Sequence, residues 1–380
     1  MKLLHISDLH IGKRVKGYSL LYDQLYVLNQ IINFTKDKNI DGIIIAGDIY
    51  DSSYPSNEAI NAFDKFISEL HSLGISCYVV SGNHDSIHRV SFGSNIMAKE
   101  NIYFAKKYSG IIEPIEADKN TNIWLIPFIR PIDVREYYHD FAIGSYEEMM
   151  QSVIRNLKID KNKINILVAH QFVTCSGKKP ETSESETVSL GTLDNIDISN
   201  FTDFDYVALG HIHKPQAMGK ETIRYAGSLL KYSFSEKNDV KSMVLIDIKN
   251  QTIKIELIPY KTLHDMKEYT GTYIELSQLP LTEDYVRIVL KEEDYITDIK
   301  KKLENNFKNI MEITYDNAYT RKNNIIGKAE LFKNKTPLEL FNTFYELQNN
   351  KKLDKEKSKV INQIFNSMEA KDSETYKISN

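Results

Sequence analysis

Five apolar runs in the first 213 residues each stop on an aspartate, asparagine or histidine, and this constrains the fold more than any other feature of the chain. Residues 2–7 lead into Asp8, with His10 two residues further on. Residues 42–46 lead into Gly47-Asp48. Residues 77–80 run into Ser81-Gly82-Asn83-His84-Asp85. Residues 164–169 end at His170, and residues 206–209 at Gly210-His211-Ile212-His213. Helical stripes separate the first three runs: Leu21, Leu25, Leu28 and Ile32, then Ala59, Phe63, Phe66 and Leu70. A β-α-β-α-β order predicts parallel strands joined by right-handed crossovers. Ligands gather beyond the carboxyl ends of such strands. One site fed by several strands is therefore expected.

The residue types at these ends define its chemistry. Mixed His, Asp and Asn donors suit Mn, Fe or Zn better than Ca, which prefers oxygen alone. Paired divalent ions lie ~3.5–4 Å apart and clamp the attacking and leaving oxygens of an in-line displacement. Taken singly, each element has an ordinary explanation. A histidine after a strand is a loop residue, Asp after Gly is turn chemistry, and GNHD makes a turn and helix cap. The ordered set does not reduce to these, because five of the ten histidines fall in the strand-end clusters. His5, His71, His88, His139 and His264 do not. They are expected to be structural or superficial, with His88, four residues after His84, placed to face a substrate.

The remaining sequence sets the frame. A chain of 380 residues exceeds what one core usually spans, so a main domain with smaller additions is expected. Cys77 and Cys175 form no CxxC pair, which fits a reducing compartment. The N-terminus, MKLLHISDLH, lacks a signal-peptide core, and no apolar run approaches the ~20 residues of a membrane span. A soluble cytoplasmic protein without membrane association is expected. A short strand is expected at 124–126, and a hairpin at 243–248 and 252–257 turning at Asn250. Residues 176–187, rich in Lys, Glu, Ser and Thr, read as a mobile surface loop. Beyond residue 263 strands are expected at 273–276, 286–290 and 311–314, with Ile296, Ile299, Leu303 and Phe307 as a helical stripe. Thr336-Pro337-Leu338-Glu339 starts a helix carrying Leu338, Phe341, Phe344 and Tyr345, and a second helix carries Ile361, Ile364, Phe365 and Met368. The expected division is 1–262, a small α+β domain at 263–335, and a helical segment at 336–380.

Asp8-Leu9-His10, Gly47-Asp48-Ile49-Tyr50-Asp51, Gly82-Asn83-His84-Asp85, His170 and Gly210-His211-Ile212-His213 together resemble the calcineurin-like metallophosphoesterases. Four longer stretches are similar to one branch of that superfamily, the DNA-repair nuclease subunits that act with an ABC-type ATPase. They are residues 7–12 (SDLHIG), 169–171 (AHQ), 210–216 (GHIHKPQ), and 225–228 (YAGS) continuing to 231–236 (KYSFSE). Leu229 stands where the family has proline.

The resemblance implies an α/β fold, a four-layer α/β/β/α sandwich with the dimetal site at its edge. It assigns Asp8, His10, Asp48 and His213 to one metal, and Asp48, Asn83, His170 and His211 to the other, so that Asp48 bridges. His84 becomes the acid that protonates the leaving 3′ oxygen or the group that stabilises the pentacovalent transition state. Asp85 is expected to orient His84 or cap the next helix, and the role of Asp51 is left open. Two divalent ions, manganese by family habit, are implied. So are DNA as substrate and a homodimer within a heterotetramer whose other subunit is the ATPase. The 336–380 helices fit a segment that docks on that ATPase.

The net charge of −4 and pI of 6.2 are unusual for a free-standing nucleic-acid binder. Bound cations invert the local field, and Lys13, Arg14, Lys16, His88 and Arg89 lie in sequence near the ligand loops, where they can meet phosphates. Phosphoprotein phosphatases carry GNHE and GDxVDRG, whereas this chain has GNHD and GDIYD. A phosphoesterase acting on phosphoproteins or nucleotides is the competing reading. A non-catalytic scaffold of the same fold would have lost ligands, and none is lost.

Overall fold

Two six-stranded sheets carry the fold. A computed structural model describes residues 1–138, 143–186, 195–317, 320, 337–349, 353 and 357–362. The first sheet uses β1 (Lys2–Ile6), β2 (Gly42–Ala46), β3 (Ser76–Val80) and β4 (Ile102–Phe104), all parallel. The second uses β5 (Ile115–Asp118), β6 (Thr121–Ile126), β7 (Ile164–His170), β8 (Tyr206–Gly210), β9 (Gln216–Met218) and β10 (Lys220–Tyr225), in the order β9-β10-β8-β7-β6-β5. The hairpin β11 (Ser242–Lys249) and β12 (Thr252–Pro259) returns to the first sheet, giving β12-β11-β1-β2-β3-β4. Its turn is Asn250-Gln251, both with positive φ, the twist that suits a two-residue hairpin loop.

Strand alternation sorts the core. Ile44, Ala46, Tyr78, Val80, Val244 and Ile246 of the first sheet meet Ile123, Leu125, Ile166, Val168 and Ala208 of the second in one apolar cluster. Trp124, Ile126, Leu167, Ala169, Val207 and Leu209 point the other way, onto Met149, Met150 and Val153 of the helix Tyr146–Arg155. Helices α1 (Leu21–Lys38) and α2 (Asn57–Ser72) bury Val27, Leu28, Ile31, Phe63, Phe66 and Leu70. The result is the expected four-layer α/β/β/α sandwich. Two sheets packed face to face need apolar residues on both faces of their central strands, which is why these strands read as continuous apolar runs.

The chain divides into two compact units, Met1–Glu268 with Glu283–Arg287, and Tyr269–Thr282 with Ile288–Asn380. In the second unit one sequence expectation fails: Tyr273–Ser277 is a helix, not a strand. Thr272 and Glu275 close a capping box there, with Glu275 Oε2 accepting from Thr272 N at 2.7 Å. The stripe around Ile299 is a helix only over Ile299–Leu303, and Phe307 opens the strand Phe307–Tyr315. A helix runs over Pro337–Asn349. Ile361 lies in a helical stretch at 357–362. Thr336, Ile364, Phe365, Met368 and the Phe344 side chain lie outside the described residues, as do His139 and Thr187. No described helix is long and apolar enough to cross a membrane.

Candidate metal centre

The backbone turns sharply where the strands end. Asp8, His10, Asp48 and His211 all have positive φ, between 43° and 105°. Non-glycine residues avoid this region, and such strain persists where the surroundings hold it. Here the loops after β1 and β2 run side by side: Asp8 N donates to Gly47 O (3.0 Å), His10 N to Asp48 O (2.9 Å) and Ile11 N to Ile49 O (2.9 Å). Close approach demands glycine beside two ligands. A Cβ on Gly47 would lie 2.3 Å from His170 Nδ1, and one on Gly210 would lie 1.8 Å from Ala46 O.

These turns bring all seven predicted ligands together. Asp48 Oδ2 lies 3.5 Å from His10 Nε2 and 3.4 Å from His170 Nε2, so one carboxylate oxygen faces two imidazoles from different sheets. His10 Nε2 is 3.1 Å from His213 Nε2. Asn83 Oδ1 is 3.0 Å from His170 Nε2 and 2.9 Å from His211 Nδ1. Asp8 accepts from His211 N and from Ser7 Oγ. Asp8-His10-His213 and Asp8-Asp48-His170 each offer ligand atoms within 4.8 Å of one another. The donor chemistry fits a pair of cations. Ring nitrogens face each other and share the Asn83 amide oxygen, so lone pairs converge on common space.

Three of the four candidate ligand rings are held in the neutral form that metal binding needs, while His170 and Asp8 are shifted the other way by their neighbours and by burial. Burial lowers His10 and His213 and brings His211 down to about 3, which keeps these rings neutral, as ligands must be. Burial pushes the Asp8 carboxyl up to about 7. Burial would raise Asp48 too, but His170 and His10 hold it well below the usual carboxylate range. His170 answers in the opposite sense: burial would lower it, and Asp48 and Asp8 raise it to about 9.

His84 lies at the edge of the centre, and its ring joins His10 and Asp48 in a third group whose donor atoms fall within 4.8 Å of one another. Its backbone N–H donates to Asp48 Oδ1 (2.9 Å) and its Nδ1 lies 3.0 Å from Asp51 O. Its ring meets the His10 ring edge to face, centroids 4.9 Å apart. Asp85 neither orients the His84 ring nor caps the helix Ile87–Val90, contrary to expectation. Its carboxylate accepts from Ile49 N, Tyr50 N and Gly82 N, at 3.0, 3.0 and 2.9 Å, and so ties the Asp48 loop to the Asn83 loop. Asp51, whose role the sequence left open, lies 3.4 Å from His10 Nδ1. It also accepts from Lys13 Nζ at 2.7 Å, which engages Lys13 in the centre's own scaffold. Arg14 donates to Gly17 O, and the Arg89 guanidinium lies over the Tyr54 ring, 4.5 Å from its centroid. His88 is exposed. Of the other histidines, His5 Nδ1 is bonded to Tyr206 OH and His264 to Asp23, as structural residues are. Leu229 is buried.

The polar stretch read as a mobile surface loop is exposed over most of 176–184, but its end turns inward. Ser185 Oγ lies 2.6 Å from His213 Nδ1, and Glu186 Oε1 accepts from His213 N at 2.6 Å. Polar composition marked this segment as solvent-facing, but its hydroxyls and carboxylate meet buried polar atoms of the centre. The sequence carried one hint, Glu236 in the YSFSE stretch, which is 1% exposed and accepts from Ser185.

Comparison with known proteins adds an independent line. The family model for calcineurin-like phosphoesterases matches residues 1–215. The model described as the Type 5 capsule protein repressor C-terminal domain matches residues 262–349. A relative from Staphylococcus epidermidis, the SbcD subunit of the nuclease SbcCD, is 35% identical over 323 residues, 83% of this chain and 85% of that protein. Among solved structures, a dimetal phosphatase from Danio rerio matches 69% of this chain and 97% of its own at 10% identity, TM-score 0.43. A Thermus thermophilus protein, TT1561, matches 67% and 98% at 12% identity, TM-score 0.38.

Proposed function

The chain belongs to the calcineurin-like phosphoesterases and, within them, to the SbcD family of nuclease subunits, and from that premise we propose that it is a two-metal DNA phosphodiesterase. The observation that carries the chemistry is Asp48 Oδ2 set within 3.5 Å of both His10 Nε2 and His170 Nε2. On this reading Asp8, His10, Asp48 and His213 hold one divalent ion, and Asp48, Asn83, His170 and His211 the other. Bound there, two such ions supply positive charge at the phosphoryl oxygens and lower the pKa of a water toward neutrality. Mn is the proposed metal on the family resemblance; the donor set suits Mn, Fe or Zn.

The protein's own part is positioning and proton transfer. In an in-line displacement the bond from phosphorus to the leaving 3′ oxygen breaks, and that oxygen needs a proton. His84 supplies it. With Nδ1 donating to Asp51 O, Nε2 is the ring position left to carry the transferred proton. Lys13, Arg14, His88 and Arg89 are the proposed phosphate contacts, Lys13 by exchanging its pairing with Asp51 for a phosphate oxygen.

We assign residues 1–262 to the nuclease domain, 263–335 to a small α+β domain and 336–380 to a helical segment that docks on an SbcC-like ABC-type ATPase. The proposed assembly is a homodimer within a heterotetramer in the cytoplasm, acting as an ATP-dependent double-strand exonuclease and a single-strand or hairpin endonuclease. Such a partner contributes DNA-binding surface, which accommodates the mildly acidic charge of this chain.

The test is cleavage of a 3′-labelled linear duplex by the purified protein with Mn, with and without the ATPase partner and ATP. Cleavage that grows with partner and ATP supports the reading. No cleavage of DNA, together with rapid turnover of a phosphoprotein, overturns it in favour of the competing phosphoesterase.

A further inference from the structure

We propose that Glu236, Ser185 and the Nδ1 nitrogen of His213 form a hydrogen-bond relay that fixes the His213 tautomer and so positions this imidazole for metal. The inference rests on the reading of His213 as a ligand. Ser185 Oγ lies 2.6 Å from Glu236 Oε1 and 2.6 Å from His213 Nδ1. A hydroxyl has one proton to give. Glu236 is paired with Lys241 at 2.7 Å, both side chains almost fully buried, so its carboxylate is ionised and can only accept. The Ser185 proton therefore points to Glu236. Were it turned to His213 instead, the Ser185 and Glu236 oxygens would face each other at 2.6 Å with no proton between them.

Ser185 Oγ must then accept from His213, which places the ring proton on Nδ1. Nε2 is left with its lone pair, and Nε2 is the nitrogen that faces His10 Nε2 across the centre. Ser183 and Ser233 also donate to Glu236 Oε1, at 3.2 and 3.0 Å. The same cluster grips the His213 main chain, with Glu186 accepting from its N–H and Lys241 Nζ donating to its carbonyl at 2.7 Å. Ring, N–H and C=O of one residue are thus all held by groups outside the proposed ligand set. Outer partners of this kind fix the tautomer and raise the basicity of a ligating imidazole.

Ser185→Ala is the variant that tests this, because it leaves the buried Glu236–Lys241 pair intact. Two readouts apply. In metal-free protein labelled with ¹⁵N-histidine, the His213 ring should show the Nδ1–H tautomer in the wild type and a shift toward the Nε2–H form in Ser185→Ala. Titration with Mn alone should show affinity at one of the two sites weakened about 10–100-fold, with Ser185→Thr restoring it. Glu236→Gln, provided its melting curve is cooperative, should move the tautomer in the same direction. An unchanged tautomer together with wild-type Mn affinity in Ser185→Ala would overturn the relay. Loss of the ligand reading itself looks different: His213→Ala would then still bind two Mn ions as tightly as the wild type.

Discussion

The two sheets contribute to the centre in different ways. The backbone loops that carry the first sheet's residues, Asp8, His10, Asp48, Asn83 and His84, are tied to one another. Asp8 and His10 bond the backbone of the Asp48 loop, Asp85 gathers three backbone N–H groups, and His84 leans on Asp51 O. All of this lies within the first 85 residues. The Asp8, His10, Asp48 and Asn83 side chains, by contrast, reach across to His170, His211 and His213. The second sheet's residues, His170, His211 and His213, depend on distant partners. His170 Nδ1 bonds Ala46 O at 2.8 Å, the His211 N–H rests on Asp8, and His213 is gripped by Ser185, Glu186 and Lys241. The backbone of one half is tied together locally, and the other half draws its support from the rest of the chain.

Asp48 belongs to both halves, so its loss should have the largest effect. Asp48→Ala is expected to lose both ions and reduce Mn-dependent cleavage to background, read by metal content and by the labelled-duplex assay. Retention of one ion would mean that the halves bind metal independently. His84→Gln separates chemistry from binding. It should keep both ions while kcat falls about 10²–10⁴-fold, the usual worth of a positioned acid. Collapse of metal occupancy in that variant would move His84 into the ligand set. Asp85→Ala tests whether the first half is held by its backbone. It strands three N–H groups, and a loss of about 3 kcal/mol is expected in urea unfolding of the metal-free protein. No change in the midpoint would mean water replaces the carboxylate freely. The smallest effect concerns the thiols. Cys77, in β3 of the first sheet, is 0% exposed and burial pushes its pKa up to about 12, so native protein should take up maleimide at half-buried Cys175 only. Equal labelling of both would show that the first sheet opens readily.

The same contrast explains what could be read in advance. The candidate ligands of both halves were visible because a fold of this class places such residues at strand ends, where a β-strand period and a sudden Asp or His are easy to see. The four layers were an implication of the family resemblance, and the apolar runs, buried on both faces of their sheets, fit it. The support of the second half was not visible. Ser185 and Glu186 are ordinary polar residues in a polar stretch, and nothing local marks them as partners of a histidine 28 residues on. Asp85 was seen, but two of its three acceptor bonds depend on a loop 35–36 residues earlier coming within reach. The error at Tyr273–Ser277 had a local remedy. Isoleucine and tyrosine suggested a strand, while Thr272 and Glu275 already spelled a capping box.

The central claim is a pair of ions sharing Asp48. Anomalous diffraction from crystals grown with Mn tests it most directly. Two peaks ~3.5–4 Å apart are expected, one among Asp8, His10 and His213, the other among Asn83, His170 and His211, both in contact with Asp48. A single peak, or two peaks that do not share the Asp48 carboxylate, would contradict it.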